Sequence, residues 1–291
     1  MISDFTYLRP KSVREALSML SELKEDAKVL AGGQSLLITM KEELLSPTHV
    51  MDIKGLSEWN FIREEKETLR IGALTSHRDI EVSPIVASWF PVLPEMEQHI
   101  ASWPIRNWGT LGGNLCHGEP RSDPPALLIA LGASAKLVSE KGKRTVPLSA
   151  FFVGPYETVL RRDELLSEVL IPRLPRRSTC AFSRFALGEG TFPLVSVAVF
   201  IQLEERKGTC KEARVVVGGA SPMPFRATKA EEMLSGASLP QVRNGLSVRA
   251  GEEAGRQSEP VSDIYGSTEY KKEMVKVMVK RAIIRASEEV K

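Results

Sequence analysis

Lys28-Val29-Leu30-Ala31-Gly32-Gly33-Gln34-Ser35 and Arg106-Asn107-Trp108-Gly109-Thr110-Leu111-Gly112-Gly113-Asn114 are the two stretches on which the fold turns. In the first, a short apolar run ends in paired glycines, the pattern of a strand that stops in a turn. Paired glycines let a backbone reach positive φ and bring its N–H groups close to an anion. Gln34, Ser35, Thr110 and Asn114 add short polar side chains, and an apolar run abuts each loop, where a helix N-terminus could face the same place. Either pair alone reads most simply as a tight turn, as Gly218-Gly219 does before Pro222 and Pro224. Two such loops could converge on one diphosphate from separate subdomains.

The surrounding sequence supplies the frame. Ser12-Val13-Arg14-Glu15 has the form of a capping box, and Val13, Ala16, Leu17 and Leu20 follow at helical spacing. After the first loop the pattern predicts a helix from Leu36 to Leu44 and a strand from Thr48 to Ile53. Thr68 to Ala73 alternates as a half-buried strand, Ser76 to Glu81 is helical, and prolines bound a predicted helix from Glu95 to Ala101. Pro125 to Leu131 is apolar. Ala135 to Val138 and Arg144 to Leu148 flank a Lys141-Gly142-Lys143 turn. Pro172, Pro175 and the arginines around them form a linker. Leu194 to Leu203 and Glu212 to Val217 are strands, and a long C-terminal helix follows a Ser267 cap. The chain is therefore α+β, with an N-terminal region to about residue 175 and a further domain after it.

Composition narrows the function. The 291 residues are 42% hydrophobic and 26% charged, enough for two or three packed units, and a net charge of +2 gives no bulk attraction to nucleic acid. The longest uncharged run, Gly190 to Leu203, is shorter than the roughly 20 apolar residues of a spanning helix, so no membrane span is expected. The start of the chain lacks a signal-peptide pattern, so a cytoplasmic location is expected. Cys116, Cys180 and Cys210 are far apart and no CxxC occurs, and the four histidines show no metal-ligand spacing, so no metal site is expected. His117 alone lies beside one of the loops. No GxGxxG follows the first strand and no GxxxxGK[ST] appears, which excludes the Rossmann fingerprint and the P-loop. Asp123, in Ser122-Asp123-Pro124-Pro125, is open to two readings: a turn-forming Asp before proline, or an acceptor for the hydroxyls of a ribose or ribityl chain.

Ala31-Gly32-Gly33-Gln34-Ser35-Leu36-Leu37, Arg106 through Leu115 and Ser122-Asp123-Pro124-Pro125-Ala126-Leu127-Leu128 together resemble the FAD-binding medium subunit of the molybdenum hydroxylases, the xanthine dehydrogenase and carbon monoxide dehydrogenase family. Phe5 to Ser12, Val217 to Pro222, Arg226-Ala227, Asp263 to Tyr270 and Lys280-Arg281-Ala282 extend the likeness over nearly the whole chain. The resemblance implies a two-subdomain FAD-binding fold of the vanillyl-alcohol oxidase (PCMH) type in residues 1–55 and 56–175. A smaller α+β C-terminal domain would occupy residues 178–291.

Carried over by position, Leu30, Ala31, Gly32, Gly33, Gln34, Ser35 and Leu36 would wrap the FAD diphosphate from one side. Thr110, Gly112, Gly113 and Asn114 would do so from the other. Asp123 would take a sugar-chain hydroxyl, Leu166 and Arg184 match positions lining the flavin ring, and Ile100 matches one near the adenine or the ring. Many relatives carry Lys in place of Arg184. The family implies no catalytic side chain here. Electrons would come from [2Fe–2S] clusters on a small iron–sulfur subunit, fed by a large molybdopterin subunit, within a dimer of heterotrimers, and reduced FAD would discharge to an external acceptor. No inserted cysteine-rich loop for a [4Fe–4S] cluster is present. Two rivals stand beside this reading: a stand-alone FAD-dependent reductase or oxidase of the same fold, such as the enolpyruvyl sugar reductase of wall synthesis, and a docking subunit that has lost FAD.

Overall fold

Three main sheets organise residues 3–290, which the computed structural model describes. The first is built from β1 (Thr6–Leu8), α1 (Val13–Leu23), β2 (Ala27–Leu30), α2 (Leu36–Lys41) and β3 (His49–Asp52). Its strands are parallel in the order β1-β3-β2, with Leu30 opposite Asp52. The side chain of Ser12 caps α1 by accepting from the Glu15 N–H at 3.2 Å. The expected box is not reciprocal, because the Glu15 carboxylate accepts from Lys11 N instead. Helix α2 is shorter than the sequence suggests. The N–H groups of Glu42 and Leu44 turn back onto the Ile38 and Thr39 carbonyls while Glu43 takes φ +59°, so the last turn closes early.

The second unit runs through β4 (Ile62–Glu65), β5 (Thr68–Gly72), α3 (His77–Val82), α4 (Pro84–Trp89), α5 (Val92–Glu97), α6 (Trp103–Trp108), α7 (Leu111–His117), α8 (Asp123–Ala130), β6 (Ser134–Ser139), β7 (Gly142–Pro147), the small hairpin β8 (Phe152–Gly154) and β9 (Glu157–Thr158), and β10 (Leu165–Pro172). Its sheet is antiparallel in the order β4-β5-β10-β6-β7. The central strand β10 carries a buried carboxylate, Glu168. Arg70 on β5 grips it with two hydrogen bonds of 2.6 and 2.9 Å, and Lys136 on β6 adds a third at 2.8 Å. Burial alone pushes its pKa up, but the two cations outweigh that and hold it below the ordinary glutamate value.

The helix expected at Glu95 to Ala101 forms earlier, at Val92–Glu97. Pro91 is its N-cap and Pro94 falls in its first turn, where a missing N–H breaks no bond. Ala101 itself has φ +42° and lies outside any helix. The same tolerance explains α8: Pro124 and Pro125 occupy its first turn, so Asp123 opens a helix rather than a simple turn. All eight residues of α8 are buried. A helix buried on every side needs apolar residues all round, and Ala126-Leu127-Leu128-Ile129-Ala130 supplies them.

The third unit comprises β11 (Ser178–Phe185), β12 (Val195–Leu203), β13 (Cys210–Gly218), β14 (Phe225–Arg226), α9 (Thr228–Leu234), α10 (Leu239–Gln241), α11 (Ser247–Gln257) and α12 (Thr268–Glu289), the last capped by Ser267 as expected. Its antiparallel sheet follows the order β11-β12-β13-β14. Alternation along the strands divides the core. Phe182, Ala198, Phe200 and Val216 face the second unit, where β12 and β13 meet α8 and β11 meets α5, whereas Ala181, Val197, Val199, Val215 and Val217 face α9, α11 and α12. Strand β12 reads as an unbroken apolar run because both its faces are buried. Arg285 on α12 adds a polar tie across the boundary, gripping both oxygens of Glu95 at 2.7 Å and the Phe182 carbonyl at 2.8 Å. Among the described residues, no helix is long and apolar enough to cross a membrane.

Candidate functional site

The two glycine loops meet. A Cβ on Gly32 would fall 2.8 Å from the Gly109 Cα, and one on Gly113 would lie 3.6 Å from the Ala31 Cβ. The first loop leaves β2 at Leu30, passes Ala31 and Gly32, turns at Gly33 with φ +76°, and enters α2 at Leu36. Gln34 folds back so that Nε2 donates to the Gly32 carbonyl at 3.2 Å. Among the described residues, no backbone N–H from Gly32 through Ser35 finds an acceptor, which leaves a row of donors free for an anion.

The second loop is built differently from the expectation. Leu111 N donates to Thr75 O, Gly112 N to Ala73 O and Asn114 N to Thr110 O, while Gly113 N is taken by the Thr110 hydroxyl at 3.1 Å. These N–H groups are spent inside the protein. Gly112 is required by packing: a Cβ there would sit 2.6 Å from the Ala73 Cβ. What this side of the cleft offers is the polar side chains of Thr110 and Asn114 and the open face at Gly113.

From the second loop the site continues into α8. Asn114 Oδ1 accepts from the Ser122 hydroxyl at 2.8 Å, which fixes the start of α8, and Asp123 follows directly. Asp123 is 5% exposed, and its Oδ2 lies 3.3 Å from Nε of Arg184, which reaches across from β11. The alignment falls short of a hydrogen bond and leaves Arg184 Nε buried without a partner among the described residues, and the other carboxylate oxygen, Asp123 Oδ1, is likewise buried and unpartnered among them. Burial pushes the Asp123 carboxyl up, Arg184 pulls it down and Glu97 pushes it up, and the balance leaves its pKa at about 7. Ile100 and Leu166 both pack against the main core of the second unit, Leu166 from β10 opposite Leu137. The structure therefore joins the loops to Asp123 and Arg184 through Asn114 and Ser122, and sets Ile100 and Leu166 in the apolar core of the second unit.

Sequence reasoning missed three parts of this neighbourhood. Glu97 is fully buried, with Oε2 2.8 Å from His77 Nδ1 and Oε1 unpartnered among the described residues. A cavity of about 390 Å³ lies between the β11–β12 loop, Arg121 and Tyr265, with the Arg121 guanidinium 5.5 Å from the Phe192 ring and 5.2 Å from that of Tyr265. A second cavity of about 330 Å³ beside Thr110 is lined by Lys54, Asn60 and Trp108. All three combine side chains from separate segments, so no spacing in the sequence announces them. His117 stacks edge-on to Tyr156 at 5.2 Å. The cysteines stay apart, and burial lifts the thiols of Cys116 and Cys180 to about 12 and that of Cys210 to about 11, far from the thiolate a metal needs. No group of side chains among the described residues is suited to holding a metal ion.

FAD makes three demands: donors for a diphosphate, acceptors for sugar-chain hydroxyls, and an apolar wall for a ring. The unspent N–H groups of Gly32 to Ser35 and the bare Oδ1 of Asp123 fit the first two. A parallel unit and an antiparallel unit meeting at glycine loops, closed by a third α+β unit, define the class of two-part FAD-binding folds to which oxidoreductase subunits belong. Residues 3–174 match the family described as the FAD binding domain in molybdopterin dehydrogenase, and residues 181–286 the CO dehydrogenase flavoprotein C-terminal domain. The chain belongs to the FAD-binding subunits of the molybdenum hydroxylase family. It is 36% identical over 280 residues to the carbon monoxide dehydrogenase medium chain of Hydrogenophaga pseudoflava, covering 96% of each chain. It is likewise 36% identical over 281 residues to the nicotine 6-hydroxylase medium subunit of Paenarthrobacter nicotinovorans, again covering 96% of each. Among solved structures, a chain of the H. pseudoflava carbon monoxide dehydrogenase that lacks the Mo-pyranopterin moiety of the molybdenum cofactor superposes with a TM-score of 0.95 at 36% identity, covering 100% of both chains.

Proposed function

We propose that this chain is the flavin relay of a three-subunit molybdenum hydroxylase, holding FAD in the cleft between its two glycine loops. In this reading residues 1–55 and 56–175 are the two FAD-binding subdomains and residues 178–291 the C-terminal domain. A small subunit with [2Fe–2S] clusters delivers electrons, a large molybdopterin subunit oxidises the substrate, and the whole assembles as a dimer of heterotrimers. Bound FAD supplies the redox chemistry, accepting electrons and discharging them to an external acceptor.

The residues of this chain bind and orient. The N–H groups from Gly32 to Ser35 receive the diphosphate, with Leu30, Ala31 and Leu36 shaping the loop. Thr110, Gly113 and Asn114 close the cleft, Gly112 lets that loop pack on Ala73 just past β5, and Asp123 accepts a sugar-chain hydroxyl. Leu166 lines the ring, and Ile100 lies near the adenine or the ring. The observation that carries the reading is the row of unspent donors facing a loop whose N–H groups from Leu111 to Asn114 are spent, an asymmetric cradle for an anion.

Spectra and metal analysis of the purified chain test this. The released cofactor is FAD, bound iron and molybdenum are negligible, and dithionite reduces the flavin. The chain oxidises no purine, aldehyde or carbon monoxide until its cognate iron–sulfur and molybdenum subunits are added. Stoichiometric FMN in place of FAD, or substrate oxidation by the chain alone, overturns the proposal.

A further inference from the structure

The Arg184–Asp123 contact brings the third unit into the cofactor cleft, although the two glycine loops belong wholly to the first two. Arg184 is held at two points. Its Nε lies 3.3 Å from Asp123 Oδ2, and its Nη2 donates to the Thr191 carbonyl in the β11–β12 loop at 2.6 Å. Strand pairing fixes its backbone opposite Ser196. Asp123 is anchored by the start of α8, which Asn114 holds through Ser122. Its second oxygen is buried and has no hydrogen-bond partner among the described residues, and such a bare acceptor marks the place where a donor belongs.

The surroundings oppose a charge on that carboxylate. Glu97 faces it from α5, with one oxygen bonded to His77 of α3 and the other bare. Strands β12 and β13, which pack on α8, bring Ser196 and Gly218 to this region, and α7 contributes the neutral Asn114. Arg184 is the cation that Asp123 meets, and Arg184 in turn acts on His99.

We propose that Arg184 is the positioning residue of Asp123, a side chain of the third unit that orients the carboxylate and favours its charged form so that Oδ1 can accept a hydroxyl of the FAD sugar chain. This rests on the FAD reading above and deepens it: Arg184 serves the cofactor through Asp123 instead of through the flavin ring. Without the guanidinium, burial and Glu97 act unopposed, and the carboxyl is pushed above the value of about 7 that it has beside Arg184, so its protonated fraction at neutral pH grows. Its share of the binding is then available only from the ionised fraction, so apparent affinity recovers as pH rises.

Titrating FAD into the full-length apoprotein, followed by quenching of flavin fluorescence between pH 6 and 9, tests the proposal. Arg184→Met weakens binding roughly tenfold or more at pH 7, the range expected for a lost charged hydrogen bond, and most of the loss disappears toward pH 9. Arg184→Lys restores most of the neutral-pH affinity. In an Asp123→Asn background, Arg184→Met has no further effect and the pH dependence is gone. A loss that is equal at every pH, or that persists in the Asp123→Asn background, overturns the proposal, as does unchanged binding in Arg184→Met. If Arg184→Met does not fold, the Arg184→Lys and Asp123→Asn profiles decide: a Lys profile that does not follow the wild type at neutral pH, or an Asn variant that keeps the pH dependence, overturns it. A wild-type chain that takes up no FAD overturns the FAD reading and this one with it, whereas wild-type uptake with an indifferent Arg184 overturns this one alone.

Discussion

A Cβ placed on Gly32 would fall 2.1 Å from the carbonyl oxygen of Trp108. The first glycine loop thus rests directly on the backbone that leads into the second, and the cleft is defined by a contact no side chain could share. Gly32→Ala must push two main chains apart and is expected to destabilise the protein by about 3 kcal/mol or more, since overpacking against backbone has no flexible end to yield. Gly55→Ala is the control, because nothing lies within 4 Å of its added Cβ. Urea midpoints and flavin content of the two variants check this; equal behaviour would show that the loops do not meet.

Gly33 tests the loop conformation itself. At φ +76° a β-branched residue is strained by about 1–3 kcal/mol, so Gly33→Val should lose FAD through a reoriented loop. The apolar cluster under α9, α11 and α12 involves none of the loop's residues, so hydrogen exchange of α12 is expected to stay at the wild-type level. Full flavin occupancy in Gly33→Val would make the loop a plain turn.

Asp123 should reveal itself through pH even without cofactor. Its folded pKa of about 7 lies above the ordinary aspartate value of 3.8, so its contribution to stability is fully present below the lower value and is lost as pH rises toward the upper one. Asp123→Asn lacks that loss. The difference in unfolding midpoint between Asp123→Asn and wild-type apoprotein is therefore expected to move in favour of the variant from pH 5 to pH 8. A difference that stays constant over that range would show the carboxylate to be ionised throughout.

Arg285→Ala probes the seam between the second and third units. The lost fork to Glu95 is partly exposed and is worth only about 1 kcal/mol after solvent screening. A melting temperature lower by roughly 2–4 °C is the expected result, with FAD content unchanged because neither residue lines the cleft. Loss of flavin in this variant would mean that the seam and the cleft are one mechanical unit.

Much of this was legible in the sequence, and the failures have physical causes. Lys28 to Gly33 was readable because an apolar run ending in glycines has few other outcomes, and Ser267 announces α12 with an ordinary cap. Helix α6 was not readable, because Pro104 and Gly109 look like punctuation when in fact they sit in its first turn and at its end. Strand β10 hides because Glu168 interrupts its apolar pattern, and the cations that make the interruption tolerable, Arg70 and Lys136, come from strands far away in the chain. Asp123 was half legible: its chemistry could be guessed, but the partner that governs its charge sits on a strand in another unit. The second loop misled. Its glycines suggested donors aimed at a phosphate, yet its donors are already bonded to Ala73, Thr75 and Thr110.

The position of β10 has a consequence for how the protein comes into being. It pairs with β5 on one side and β6 on the other, Glu168 standing opposite both Gly72 and Lys136. A nascent chain emerging from the ribosome therefore carries β5 and β6 with a gap between them until the residues of β10 arrive, some hundred positions after β5. Such late, long-range pairing slows folding and leaves strand edges open to the wrong neighbour. A chaperone that shields β5 and β6 during synthesis would act on that interval, and truncation before Leu165 should yield aggregates instead of a smaller folded flavoprotein.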